Sequence, residues 1–393
     1  MQWPLMILAE RVPPARGGLA VATGRIAEHA AAAGQRVHVV HATPELAPGQ
    51  VGRRSRGPLT LHPVGEAPGR EEDTLAAWLE HAQRVAQAEG ATLVHGVYAT
   101  RAGYLAVLLG RLLGVPSVVS LRGNDLERGL LRARELPFLR LAVERADAVT
   151  AVSAAMARTA AAVFGRPVQH ISNAVDTAAF TPKGDDNTLR AALGLGGAQV
   201  IGFLGELRDK KGMRYLLPAL DALVRQGRDV RLLLLGGVRA DAQEAFHAFE
   251  RMAPEAFARV HVVPYTRDPA RLSALMGLCQ VMAFPSRYDG TPNAVLEAMA
   301  CGRAILASDA GGQADLIRHG ETGALLPVGR LELLPEALEE LLDLPEGERR
   351  RLGRGARAFV EAHHRPEQEQ AAYQALYAGL LGAAGSASES SAP

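Results

Sequence analysis

Short apolar runs, each closed by Gly, Pro or Ser and followed by a longer helical pattern, recur in two series along this 393-residue chain. Runs of that length without polar alternation are strands covered on both faces, and helices between them impose parallel pairing. Strands are expected at 4–9, 37–41, 92–95, 117–121, 148–152 and 168–171. A second set is expected at 199–204, 230–235, 260–263, 281–284, 304–307 and 323–326. Residues 42–70, rich in Pro and Gly, read as irregular. The chain is too long for one core, so the prediction is α/β with two doubly wound parallel sheets.

Composition narrows the class. Apolar content of 48% and charged content of 22% are those of a globular protein. The net charge of +1 supplies no field for nucleic acid. Cys279 and Cys301 both lie in apolar surroundings, as buried thiols of a reducing compartment do. The N-terminus MQWPLMILAE lacks a basic leader, and no apolar run is long enough to span a bilayer. The expected location is cytoplasmic, with peripheral contact on the cytoplasmic face of a membrane left open. The basic knot Arg53, Arg54 and Arg56 reads as a solvated loop, with an anionic substrate or lipid headgroup as the alternative.

Three stretches concentrate polar groups where strands end. Val281–Gly312 reads VMAFPSRYDGTPNAVLEAMACGRAILASDAGG, a strand, loop, helix, strand and turn with Asp289 and Glu297 eight positions apart. Thr291 suits the N-cap, Pro292 the first helical position and Gly302 a left-handed close. A helix N-terminus behind a strand offers amides to an anion, although a polar loop of an ordinary βαβ unit fits equally. The run Gly205–Gly212 (GELRDKKG) places Arg208, Lys210 and Lys211 before a helix, which suits a diphosphate as well as a solvated turn. Lys210 and Lys211 are two of only three lysines, the third being Lys183. In the first half, Gly17 and Gly18 open a helix without the G-x-G-x-x-G spacing of a dinucleotide site. Arg122-Gly123-Asn124-Asp125 follows a strand, and His95 ends the preceding one.

Together these stretches resemble the retaining GT-B glycosyltransferases, glycosyl transferases group 1 (family 4). PSRYDGTPNAVLEAMACGRAILASDAGGQAD is similar to that family's P-S-x-x-E-G-x-P-x-x-x-L-E-A-M-A-x-G-x-P-V-V-A-S run, and GELRDKKG to its G-R-L-x-x-x-K-G loop. ISNAVDTAAFTP at 171–182 resembles its I-P-N-G-V-D-x-x-x-F-x-P signature. The resemblance implies two facing Rossmann-like domains, with an acceptor-binding domain over 1–182, a linker over 183–198 and a nucleotide-sugar domain over 199–362. A helix over 363–382 would cross back to the first domain, ahead of a disordered tail over 383–393.

The resemblance also implies transfer of a sugar from a UDP- or GDP-sugar to a glycan, lipid-linked or small-molecule acceptor, with retention and without cofactor or metal. No Asp-x-Asp triplet follows a strand, in keeping with the last point. Glu297 would hold the ribose, and Asp289 the donor sugar beside Gly290 and Thr291. Lys211 would offset the leaving diphosphate, with Gly205, Arg208, Pro292 and Asn293 completing the donor side. Arg122 would assist catalysis, and Gly17, Gly18, His95, Asn124 and Asp125 are acceptor-side candidates. Three positions depart from the pattern: Asp289 replaces the first Glu, Glu206 stands where an Arg is common, and Arg122 stands for a His. A nucleotide-sugar epimerase or hydrolase, or a non-catalytic nucleotide-sugar binder, are the alternatives. A pyridoxal-phosphate phosphorylase is disfavoured for want of a suitable lysine.

Overall fold

The computed structural model describes residues 3–15, 17–290 and 292–390, without the side chains of 385–390. The chain divides into two units, Met1–Asn173 with Glu367–Pro393, and Ala174–Pro366.

The first unit carries β1 (Pro4–Ala9), β2 (Arg36–Thr43), β3 (Arg54–Arg56), β4 (Leu59–Gly65), β5 (Leu93–Val97), β6 (Ser117–Leu121), β7 (Ala148–Ala151) and β8 (Gln169–His170). They form one sheet in the order β3-β4-β2-β1-β5-β6-β7-β8. Every pairing is parallel except β3 with β4. Leu5 to Ala9 are wholly buried because helices cover both faces of the central strand. The second unit holds β9 (Gln199–Leu204), β10 (Val230–Leu235), β11 (Val260–Val263), β12 (Val281–Phe284), β13 (Ala304–Ser308) and β14 (Ala324–Leu326). Their order is β11-β10-β9-β12-β13-β14, all parallel. In each sheet the order reverses beside the first strand, between β1 and β5 and between β9 and β12. That reversal opens a crevice at the strands' carboxyl ends.

Several boundaries depart from the sequence reading. β3 and β4 occupy part of 42–70, the stretch expected to be irregular. Pro63 and the Gly57-Pro58 turn disguise β4, yet Thr60 and His62 to Gly65 are buried against β2 and Trp78, whose indole N–H donates to the Val40 carbonyl at 3.2 Å. Arg54 and Arg56 lie exposed on the edge strand, where charge discourages edge-to-edge pairing. Residues 174–182 belong to the second unit, not the first, because Val175 and Phe180 pack into its core. The expected linker 183–198 is ordered: Asp186 caps a helix over Asn187–Ala192, and Arg190 binds Asp185 and the carbonyls of Gly196, Ala198 and Leu278. The final helix runs Pro366–Ser390, eight residues beyond the expected end, and Tyr373 and Tyr377 anchor it in the first unit's core. Among the described residues no helix is long and apolar enough to cross a membrane.

Three histidines line up between β2, β4 and the helix Glu71–Glu89. His38 Nδ1 lies 3.2 Å from His62 Nε2, and the rings of His62 and His81 are 5.7 Å apart. Burial, then His38, His81, Arg53 and His41, pushes His62 down to about 4; His38 and His81 are also lowered, chiefly by burial, with Glu89 opposing at His38. A histidine lowered on folding takes up more protons in the unfolded chain, so stability is full above about pH 6.5 and falls as pH drops towards 4. His62 alone should cost about 2 kcal/mol at pH 5 relative to pH 8. Urea midpoints measured across that range should fall, and His62→Gln should flatten the fall.

Candidate functional site

The reversal between β9 and β12 brings two polar loops together. Gly205 leaves β9, and Leu207, wholly buried, pins the loop while its N–H donates to the Gly237 carbonyl at 2.9 Å. A single 3-10 turn over Asp209–Lys211 follows, and the helix Met213–Arg225 begins behind Gly212. Gly212 has φ +83°, and a Cβ there would stand 1.9 Å from the carbonyl oxygen of Pro285 at the end of β12. Only glycine allows that approach.

Side chains close the same junction. Lys211 Nζ pairs with the Asp289 carboxylate, and both side chains are largely buried. Arg287 donates to Asp209 at 2.8 Å, and the Arg287 N–H to the Lys210 carbonyl at 2.9 Å. Lys210 Nζ lies 4.8 Å from the centre of the Tyr288 ring. The Nε of Arg208 is buried without a hydrogen-bond partner among the described residues. Behind the loop, Ser308 donates to the Ser286 carbonyl at 2.5 Å and Gln313 to Ser308 at 3.4 Å. Neither Ser308 nor Gln313 is singled out in the sequence, since Ser308 ends β13 and Gln313 lies beyond it in a run that reads only as a turn.

The helix after β12 spans Asn293–Ala300 and begins one residue later than expected, with Pro292 as its cap. Proline fixes φ near −65°, and its ψ of 120° here keeps it outside the helix. Glu297 lies one turn in and is half-buried. The helix closes as expected, with Gly302 N–H on the Met299 carbonyl and Arg303 N–H on that of Ala298, a left-handed Schellman close. Gly290 and Pro292 are buried, and Thr291 lies outside the described residues.

Both halves of the chain match known sequence families, and the two loops lie in the second of those halves. Residues 198–344 match Glycosyl transferases group 1, and residues 16–179 match Glycosyltransferase Family 4. The GDP-mannose-dependent alpha-(1-6)-phosphatidylinositol monomannoside mannosyltransferase of Mycolicibacterium smegmatis is 30% identical over 67% of this chain and 71% of that protein. The chain belongs to the family 4 glycosyltransferases. Alpha-maltose-1-phosphate synthase of the same organism is 32% identical over 62% of this chain and 66% of that enzyme. Among solved structures, sucrose-phosphate synthase from Thermosynechococcus elongatus superposes with a TM-score of 0.82 at 20% identity, covering 97% of this chain and all of that one. Anabaena HepE in complex with UDP-glucose gives 0.78 at 19%, covering 95% and 99%. At such identities the likeness is one of fold, two Rossmann-like sheets of the GT-B kind.

The glycosyltransferase's first unit treats the expected acceptor-side residues unequally. His95 and Asp125, both named as acceptor-side candidates, are wholly buried, and His95 takes the core position that is the commoner use of such a histidine. His95 lies 2.7 Å from both Tyr377 Oη and Ser120 Oγ, and burial drives it down to about 3, so it is a neutral core imidazole. Asp125 accepts from the backbone N–H groups of Ala99, Arg122 and Gly123 at 2.7–3.0 Å. Burial raises it to about 6 against those bonds, and its work is to fold the turn after β6. Asn124 opens the short helix Asn124–Glu127, while Gly17, with φ +109°, precedes the helix Gly18–Ala32. Arg122 donates to Asn173 and, at 3.4 Å, to Tyr373. Tyr98, directly after β5, has φ +92° and is the only non-glycine residue with positive φ among the described residues. No sequence pattern signals it; such strain persists only where surrounding structure imposes it.

Gly212→Ala should lower unfolding stability by more than the roughly 1–3 kcal/mol of a forced left-handed residue, because the Pro285 carbonyl must also move. Gly205→Ala, at φ +124° with open space around the added carbon, should show the backbone cost alone. Chemical denaturation of the two variants provides the comparison.

Proposed function

We propose that the second unit binds a nucleoside-diphosphate sugar, UDP- or GDP-linked, and that the sugar passes with retention and without a metal to an acceptor held by the first unit. The observation carrying this reading is the Lys211–Asp289 pair at the β9/β12 reversal, joining the cation and carboxylate that the two donor-side loops supply. Relatives point the same way: one is named for GDP-mannose, and one structure holds UDP-glucose.

In this reading Lys211 and Arg208 offset the charge on the leaving diphosphate, with Gly205 allowing close backbone approach. Arg208 is suited to it, since its buried Nε has no partner among the described residues and a phosphate oxygen would supply one. Asp289, released from Lys211 as phosphate takes its place, accepts from donor-sugar hydroxyls beside Gly290 and Thr291. Its side chain is one methylene shorter than glutamate, and the pairing with Lys211 fixes where that shorter reach ends. Glu297 accepts from the ribose hydroxyls, with Pro292 and Asn293 shaping the wall. The acceptor hydroxyl oxygen bonds to the anomeric carbon on the face the diphosphate leaves. The bond from that carbon to the phosphate oxygen breaks with its electron pair, and the diphosphate takes the hydroxyl proton. Charge grows on the leaving group as this happens, which is where fixed cations accelerate most. Arg122, tethered to Asn173 and Tyr373, is a fixed cation for orienting the acceptor, with Asn124, Gly17 and Gly18 beside the same sheet edge.

Lys211→Ala should reduce kcat by about 10²–10³-fold. Glu297→Gln should raise the donor KM about tenfold or more, as loss of a charge-assisted hydrogen bond does. Excess EDTA should leave the rate unchanged. Wild-type rates in both variants would overturn the residue roles, and epimer or rapid free sugar from donor alone would replace transfer by epimerase or hydrolase action.

A further inference from the structure

A half-open pocket of about 370 Å³ lies in the first unit, with Pro68, Glu71 and Arg134 exposed at its rim. Glu66, Pro68, Glu71, Thr74, Arg101 and Arg134 line it. Glu66 follows the carboxyl end of β4 and Arg101 that of β5, at the edge where α/β sheets hold ligands, while Arg134 comes from the segment ahead of the helix Leu136–Arg145. The size lies at the low end of small-molecule pockets, roughly one or two sugar rings.

Its charges are arranged unevenly. Arg101 is held between carboxylates, 3.5 Å from Glu10 and 4.0 Å from Glu71, and its N–H donates to Glu10 at 3.1 Å. Thr100 donates to the same Glu10 oxygen at 2.8 Å, so this corner is rigid. Glu66 and Arg134 differ: neither side chain has an ion-pair or hydrogen-bond partner among the described residues, though both face one cavity. The lining thus carries two carboxylates and two guanidiniums and sums to zero. A phosphate here would meet Glu66 and Glu71 with only Arg134 uncommitted, which disfavours it.

We infer that this cavity is an acceptor subsite for a neutral saccharide, with Glu66 accepting from a pair of ring hydroxyls and Arg134 donating to a neighbouring one. A carboxylate only accepts and a guanidinium only donates, whereas a sugar hydroxyl does both. The pair therefore reads a hydroxylated ring without requiring a charge on it, and Pro68 gives an apolar surface for the ring face. This deepens the acceptor half of the preceding reading and rests on it for the reaction, but not for the binding.

Titration of the full-length protein with methyl α-D-glucopyranoside, methyl α-D-mannopyranoside, maltotriose and glucose 1-phosphate, followed by ligand-observed NMR, tests this. At least one neutral sugar should bind, and glucose 1-phosphate no more tightly than its neutral counterpart. Glu66→Gln and Arg134→Gln, both at solvent-reaching positions and checked for an unchanged melting temperature, should each weaken binding at least tenfold. The proposal is overturned if no neutral sugar binds, if both variants bind as wild type does, or if the phosphate ester binds tenfold tighter. The melting shift of the wild-type protein with UDP and GDP reads the donor half separately, so its absence beside intact saccharide binding would overturn the donor assignment and leave this inference standing.

Discussion

The junction of the second unit's two polar loops depends on a main-chain contact, the backbone of Gly212 lying against the carbonyl of Pro285. The β9/β12 reversal sets two strand ends side by side, but side chains alone would not hold the loops beyond them in register. Asp209–Arg287 and Lys210–Tyr288 are partly exposed contacts, and each such contact is worth a fraction of a kcal/mol to about one. With no Cβ between them, the two backbones approach closely enough for Arg287 N–H to reach the Lys210 carbonyl. Lys211 and Asp289 then meet as a consequence. Their pairing is better shielded from water than the others.

Both sheets were legible in the sequence because their strands are buried on two faces and therefore apolar without alternation. β9, β10, β11 and β12 fall where the apolar runs lie. β4 was hidden because a proline and a Gly-Pro turn mimic a loop when burial against Trp78 is unknown. Strand order is invisible locally, since nothing in the apolar runs says which neighbour each takes. The same asymmetry governs the sites. GELRDKKG and the Asp289–Glu297 run stand out in the sequence as glycines and charges at strand ends, and the fold brings Lys211 of one to Asp289 of the other. His95 and Asp125 show the limit of that reading. A polar residue at a strand end looks alike whether it faces a ligand or closes a turn, and only burial tells them apart. Tyr98 was beyond reach, because a backbone held at positive φ is a property of the packing around it.

The unit boundaries were misplaced for a related physical reason. Charge and glycine at 183–198 look like a flexible linker, but Arg190 gathers Asp185 and three carbonyls and turns the segment into structure. The chain instead passes between units at Asn173/Ala174 and at Pro366/Glu367. On the second unit's side these passages lie together, with Val175 N–H on the His364 carbonyl at 2.8 Å. On the first unit's side Arg25 joins them, donating to Asn173 at 3.0 Å and pairing with Glu369, which is 4% exposed.

That buried pair explains how a helix from the far end of the chain finds one seat on the first unit. Pro366–Ser390 is rich in alanine and small residues, and an apolar stripe of that kind would tolerate sliding or rotation by a turn. Its polar contacts would not. Glu369 meets Arg25, and Tyr373 meets Ser120 and Arg122. Tyr377 meets His95 one turn further on, and His95 continues through Ser120 to Thr150. Sliding the helix would strand a buried carboxylate and two hydroxyls at once, each a penalty of at least 1–3 kcal/mol. Buried polar groups are weak contributors to net stability but strong selectors of register. In this chain they select the register that keeps Arg122 tethered between Tyr373 and Asn173, so the core imidazole of His95 helps to position the cation beside it.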